Sequence, residues 1–472
     1  MRWIDIIAVG IFCLFLVAPG MSLAIWGYSS WAENPPELSS LDFRRFASAD
    51  NEYRKSTMKE VATFTPAGMA AQSAKSRIDY KVFRYFDAQG VISGDDGWLF
   101  YKGDFPKTCT EPETVLHALY RIEALRAVAA GADINLVVSV SPDKSVFYHD
   151  KLGVRASAAA GCKLQNARGW RQSAAEINSR VVDHYDAMSA YQGDQLLYFK
   201  TDTHWSDYGE ALSLRQLAAE LGVDIPLPPD TAPAQERQTD LFQLLRLSMV
   251  EALPSLDEYW STSFREAASP GIVGALIFHD SFYGMSKSLR WLFPRMRKVN
   301  IDRFTRKDLG QLPHTVVINS VERAFINRFR SGRMSWNGAL GGALLSANQR
   351  RAERCEFTPQ AFTTHSLSEE GMALLPTSRD PKIFVKLPEH EQPCIRFSFR
   401  SAASSPTQIF LPSSNDNYHP GFSIDLPERG MERSRALVLK GYGSRTIRLD
   451  PITGLEKIEG LSIEVGTVKD RL

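Results

Sequence analysis

The chain has 472 residues, 44% of them hydrophobic and 23% charged. That is globular composition with length for two or three cores of ordinary domain size, so disorder is not the default. Lys and Arg number 55 against 54 Asp and Glu, a formal net charge of +1. No global field draws such a chain to an anionic polymer, and no nucleic-acid partner is expected. The N-terminus carries the first strong signal. From Ile6 to Trp26 the residues are apolar or small, a run of about twenty, enough to span roughly 30 Å of hydrocarbon as a helix. Arg2 precedes it and Trp3 and Trp26 bracket it, as an interfacial anchor requires. Residues 1–28 are therefore expected to be a transmembrane signal anchor that places the rest outside the cytoplasm. A signal peptide cleaved near Ser22-Leu23-Ala24 and a buried core helix remain as alternatives.

Residues 29–76 are polar and read as a stalk with short helices, and a folded body is expected from Arg77. Gly90 to Tyr101, with Gly and Asp before an aromatic run, predicts a hairpin. Val115, Leu119, Ile122, Leu125 and Val128 recur at helical spacing over 113–130, and Gly131 follows as a stop. Ile134 to Val140 is a buried strand. After it come a helix over 164–179, strands at Val181–Tyr185 and Leu196–Phe199, and a helix over 207–221. Prolines at 226, 228, 229 and 233 mark 224–240 as a surface connection, followed by an amphipathic helix over 241–250. Strand Ile272–Phe278, a helix near Met285–Phe293, and strands at Lys298–Ile301 and Thr315–Ile318 complete an alternating α/β pattern over 77–341. From 342 to 472 the pattern changes to six short strand-like runs, at 383–385, 395–399, 408–411, 437–439, 446–449 and 461–465, which predict a β-sandwich.

Cys13 lies in the apolar run, leaving Cys109, Cys162, Cys355 and Cys394. In an oxidising compartment, Cys109–Cys162 and Cys355–Cys394 would each join cysteines of one domain; four free thiols are the alternative. No spacing resembles a metal site, and no metal or cofactor is expected.

Two segments at predicted strand ends carry chemistry, because sites in α/β sheets form there. One is Lys200-Thr-Asp-Thr-His-Trp205 and the other His279-Asp-Ser-Phe282. A serine just past a buried strand and entering a helix exposes its hydroxyl near backbone N–H groups. Ser281 fits that place. Such a hydroxyl needs a base within reach and a third group to orient the imidazole, and His204 and Asp202 supply them if 202–204 is extended and both side chains share a face. Taken singly, an Asp-x-His pair also reads as incidental and an Asp-Ser after a strand as a helix cap.

The blocks GDDGWLFY at 94–101, SPDKSVFY at 141–148, TDTHW at 201–205, HDSF at 279–282 and VER at 321–323 together resemble the periplasmic alginate O-acetyltransferase family, over about Gly90 to Arg323. That resemblance implies a three-layer, permuted SGNH hydrolase-like domain in which the Asp-x-His block precedes the serine, with Ser281, His204 and Asp202 as the triad. Ordinary SGNH hydrolases have Gly-Asp-Ser and Asp-x-x-His; here His279 stands in place of the glycine, and the His spacing is one shorter. Asn319, at a strand end, reads equally as an oxyanion donor and as a turn residue. Lys144, Tyr148, Trp205, Tyr283 and Arg323 are candidates for substrate contact, with core packing or surface ion pairing as the alternative for each.

The resemblance further implies an acetyl group passed through a serine ester to a hydroxyl of an exported polysaccharide. The protein would be periplasmic and anchored in the inner membrane, with a multi-pass membrane acyltransferase as acetyl supplier. The sandwich is similar in kind to carbohydrate-binding modules, with a purely structural domain as the alternative. An acetylesterase with the same triad and a non-catalytic polysaccharide-binding subunit are the rival readings.

Overall fold

The structure, a computed structural model, describes residues 52, 55, 56, 65–83, 90–268, 272, 274–330, 332–370, 373–413, 415–426 and 431–469. The anchor expected at 1–28 lies outside them, as does most of the 29–76 stalk. Of the latter, the helix Pro66–Ile78 is described, started by Thr65, whose side chain accepts from Gly68 N. No described helix is long and apolar enough to cross a membrane.

The expected hairpin forms, with β1 (Val91–Ser93) antiparallel to β2 (Leu99–Tyr101). Its turn places Asp96 and Gly97 at positive φ, where Asp and Gly are the tolerated residues. The long helix Pro112–Gly131 then leads into β3 (Asn135–Ser141), and the helix Gly161–Glu176 into the short β4 (Val182–Asp183). After the helix Asp207–Glu220, β5 (Ala234–Gln238) and β6 (Val250–Pro254) make a separate antiparallel pair. The central sheet is completed by β7 (Ala275–His279), β8 (Met296–Asn300) and β9 (Thr315–Val321), in the order β4-β3-β9-β7-β8 with every pairing parallel.

Period-2 alternation explains the three layers. Leu136, Val138 and Val140 of β3, Leu276 and Phe278 of β7, and Val316 and Ile318 of β9 join one core with the Pro112–Gly131 helix. The alternate residues Val137, Ile277 and Val317 join another with Trp205, Tyr208 and Phe282.

The C-terminal region holds two antiparallel sheets of six and five strands, whose inner residues share one apolar core with the Pro112–Gly131 helix. All six expected runs are strands there. Of the others, Thr363–His365 and Tyr418–Leu426 escaped the sequence pattern because they lie at sheet edges, the first wholly exposed and the second interrupted by Pro420 and Gly421. The change of character read at 342 falls inside the helix Ala339–Ala352. This helix carries buried Asn348, whose amide donates to Val128 O and Val438 O, each at 2.9 Å, and accepts from Val438 N at 2.8 Å. Gly131 allows that junction, since a Cβ there would lie 2.1 Å from Val438 O. Of the two alternatives left open for the four cysteines, the structure has the paired one, with disulfides Cys109–Cys162 and Cys355–Cys394.

Four local expectations fail for identifiable reasons. Leu196–Phe199 is not a sheet strand and makes only the bridge Tyr198–Trp205. Side chains occupy its backbone instead: the Tyr148 hydroxyl takes Leu197 N at 3.0 Å, and Lys144 donates to Phe199 O at 3.1 Å. The expected helix over 241–250 is confined to Asp240–Leu244, because Arg246 adopts a φ of 55° and Val250 opens β6. The proline-marked connection 224–240 contains β5. The helix near 285–293 is two short ones, Ser281–Met285 and Leu289–Leu292, split where Ser286 turns extended.

Candidate active site

The parallel strands β3, β9 and β7 end side by side, and Asp143, Arg323 and Asp280 follow their ends. Asp280 caps the helix Ser281–Met285, its Oδ1 accepting from Phe282 N at 3.0 Å. Its Oδ2 accepts from Val321 N and from Arg328 Nη1, the latter at 3.1 Å. The cap therefore also ties the end of β7 to the end of β9. His279, where ordinary SGNH hydrolases have glycine, lays its ring along this turn: Nδ1 is 2.8 Å from Asp280 O, and a Cβ on Gly284 would come 2.8 Å from that nitrogen. Ser281 opens the helix with an exposed side chain. Among the described residues its hydroxyl has no hydrogen-bond partner.

Asp202 and His204 meet through a bend, not through the extended geometry expected from their spacing. Asp202 Oδ1 accepts from His204 N at 2.9 Å and lies 2.7 Å from His204 Nδ1, so one oxygen fixes both the backbone and the ring. Asp202 Oδ2 accepts from Asp240 N at 2.9 Å. Burial by itself would raise this carboxyl, but its hydrogen bond to and charge interaction with His204 prevail and hold it at about 2. The imidazole packs 4.9 Å from the Phe282 ring, one residue from Ser281. His204 Nε2 is buried and, among the described residues, has no hydrogen-bond partner. The structure thus brings the imidazole and the serine turn together without closing a Ser281–His204 bond.

The five residues expected to contact substrate have other partners. Lys144 is buried, and its ammonium donates to the carbonyls of Phe199, Lys200 and Asp202 at 3.1, 3.0 and 2.5 Å. It braces the Asp202 loop and is not offered to a ligand; burial lowers its pKa to about 8. The Tyr148 ring packs tilted against Trp98, centroids 4.3 Å apart, while its hydroxyl accepts from Leu197 N. Buried Trp205 packs edge-on against Phe282 at 4.8 Å. Buried Tyr283 pairs its hydroxyl with His184 Nε2 at 2.8 Å. Arg323 pairs with Asp143 and, at 3.2 Å, with Asp104. Asn319 is likewise buried within the sheet, where its amide donates to Ser139 and Ser141 at 3.1 and 3.0 Å, so it is no oxyanion donor.

Two acids that the sequence did not mark join the site, Glu251 from β6 and Asp240 from the start of the helix Asp240–Leu244. Glu251 accepts from Lys200 N, Thr201 N and Thr201 Oγ1 at 2.8, 2.9 and 2.5 Å. Asp240 accepts from Thr203 N at 2.8 Å and from Thr203 Oγ1, and its Oδ2 stands 3.5 Å from His204 Nδ1. Nothing in the local pattern marked them, since each lies more than 35 residues from the loop it holds and the intervening prolines read as a surface connection. Asp202, His204 and Asp240 offer ligand atoms within 4.8 Å of one another, but those atoms are engaged with each other and with Thr203.

Comparison with known proteins agrees with the motif blocks. Residues 91–256 match the family described as "SGNH hydrolase-like domain, acetyltransferase AlgX". That stretch contains Asp202, His204 and Asp240, while Ser281 lies beyond it. The "Probable alginate O-acetylase AlgJ" of Azotobacter vinelandii is 24% identical over 213 residues, 43% of this chain and 54% of that protein. Its namesake in Pseudomonas aeruginosa is 25% identical over 250 residues, 52% of this chain and 59% of that protein. The chain thus spans little more than half the length of these relatives. The solved O-acetyltransferase domain of Pseudomonas putida AlgJ aligns with a TM-score of 0.34 at 18% identity, covering 50% of this chain and 92% of that one. Over residues 91–256, this chain is thus similar to the SGNH hydrolase-like acetyltransferase domain that the family model describes.

Proposed function

We propose that the protein is a serine-dependent O-acetyltransferase that moves an acetyl group to a hydroxyl of an exported polysaccharide. The observation that carries this reading is the Asp202 carboxylate 2.7 Å from His204 Nδ1, with Nε2 buried and unspent beside the Ser281 turn. An imidazole oriented at one nitrogen and free at the other is poised to take a proton from a hydroxyl.

In the first half, Ser281 Oγ attacks the carbonyl carbon of the acetyl donor as its proton passes to His204 Nε2. That proton then leaves with the donor's departing group, giving the serine ester. In the second, a sugar hydroxyl attacks the ester carbonyl, its proton passing through His204 to Ser281 Oγ as the acetyl–serine bond breaks. Asp202 stabilises the imidazolium formed in both halves. Transfer prevails over hydrolysis where the sugar hydroxyl is better placed than water. In this reading the enzyme is periplasmic, held to the inner membrane by residues 1–28 and supplied with acetyl groups by a multi-pass membrane acyltransferase, while the C-terminal sandwich holds the polymer. The two disulfides suit an oxidising compartment.

The test offers an activated acetyl ester to the purified protein with and without oligosaccharides, for wild type and Ser281→Ala. Acetylated sugar made by the wild type alone is expected. Acetate released to water at a rate no acceptor changes would replace the transferase with an esterase, and equal inertness of two folded proteins would remove catalysis altogether.

A further inference from the structure

The β5–β6 pair and the short helix Asp240–Leu244 between its strands lie outside the sheet that builds the site, yet both reach the Lys200–His204 loop. Glu251 in β6 holds the start of the loop through three hydrogen bonds, and Asp240, two residues past β5, holds its end. The two acids have different surroundings. Glu251 contacts backbone and a hydroxyl well before the imidazole. Asp240 shares the imidazole with Asp202: its N–H donates to Asp202 Oδ2 at 2.9 Å and its own Oδ2 stands 3.5 Å from His204 Nδ1.

Packing alone gives no reason for a second carboxylate at that place. Bringing it beside Asp202 opposes two like charges in a largely buried setting, and burial followed by the Asp202 charge raises Asp240 to about 6. An arrangement that opposes folding and persists around a reactive imidazole points to a role in its chemistry. The charged groups facing Asp240 are Asp202 and His204 from the loop and, farther off, Lys144 from the helix after β3.

We infer that Asp240 is a positioning residue of the acyl-transfer site: a second carboxylate that fixes the His204 ring through Thr203 and Asp202 and stabilises its imidazolium during attack by Ser281. The inference rests on the function proposed above. It assigns to the proline-marked segment the task of delivering this carboxylate.

Asp240→Asn separates charge from scaffold, because the amide still accepts from Thr203 N and the backbone N–H still reaches Asp202. With the full chain and an activated acetyl ester, kcat should fall about tenfold with KM within about twofold. The acidic limb of the kcat/KM profile should move about one unit to lower pH, since removing a negative charge disfavours the imidazolium. Asp240→Ala should share the moved limb and lose more turnover, and the Asn variant decides the matter if the Ala variant does not fold. A wild-type profile in Asp240→Asn would overturn the inference, as would lost turnover with an unmoved limb, which is the mark of a scaffold alone. Ser281→Ala run beside them separates the two claims. Full activity there defeats the serine mechanism, whereas an inactive Ser281→Ala with an unaltered Asp240→Asn defeats only the role of Asp240.

Discussion

The two halves of the candidate site are held in opposite ways. The serine half is set by local backbone structure: a buried parallel strand ends at His279, Asp280 caps the short helix that follows, and the exposed Ser281 has a hydroxyl uncommitted among the described residues. The histidine half has almost no regular structure of its own. Lys144, Glu251 and Asp240, drawn from three other elements, satisfy the backbone of residues 199–203, and Asp202 fixes the ring. A nucleophile needs freedom to meet a substrate, while a general base needs one orientation and one tautomer. The first can come from a turn motif; the second takes many convergent bonds.

That contrast can be broken at graded cost. His204→Gln removes the proposed base and should lower acetyl-ester turnover by at least about 10³-fold with an unchanged circular-dichroism spectrum; retained turnover would mean that another group accepts the serine proton. Lys144→Met leaves three carbonyls of the histidine loop without their donor. It should lower the unfolding free energy by about 3 kcal/mol in denaturant titrations and turnover by about 10²-fold, and full activity would show that the loop holds itself. Asp280→Asn keeps a good helix cap but weakens the pairing with Arg328 and Val321 N. It should lower turnover only about tenfold, a much larger loss arguing that the serine turn too depends on remote bonds.

The smallest effect concerns stability and carries a definite sign. Asp240 is raised from 3.8 to about 6, so between those values the folded chain keeps a proton that the unfolded chain has released. Stability from this group therefore falls as pH rises from 3.8 to 6 and stays reduced above. Asp240→Asn escapes that loss. Above pH 6 it should be the more stable protein by about 1 kcal/mol, because water still reaches part of the side chain, while being the less active one. Equal melting temperatures at pH 7 would show that the carboxylate is not strained.

Much of the α/β framework could be read from the chain because it rests on short-range physics. The apolar run Leu136 to Val140, the helical recurrence from Val115 to Val128 and the turn chemistry of Asp96-Gly97 each act within a few residues. The triad candidates were legible for the same reason: Asp-x-His and His-Asp-Ser are local motifs beside strand-like segments, and the five blocks together carried the family resemblance. Wherever backbone groups found side-chain partners in place of a ladder, the local signal misled. Leu196–Phe199 has strand composition, but Lys144 and Tyr148 claim its polar groups.

What the sequence by itself determined is the kind of layer each segment joins and which residue types can do acyl-transfer chemistry, since periodicity and side-chain inventory are properties of the chain alone. Only the tertiary structure decided that Lys144 is a brace and that Trp205, Tyr283 and Asn319 are core. It alone brought Asp240 and Glu251 to a loop more than 35 residues away. Hydrogen bonding and charge act over ångströms in space and are indifferent to distance along the chain, so the partners of the histidine loop exist only once the fold has brought them together.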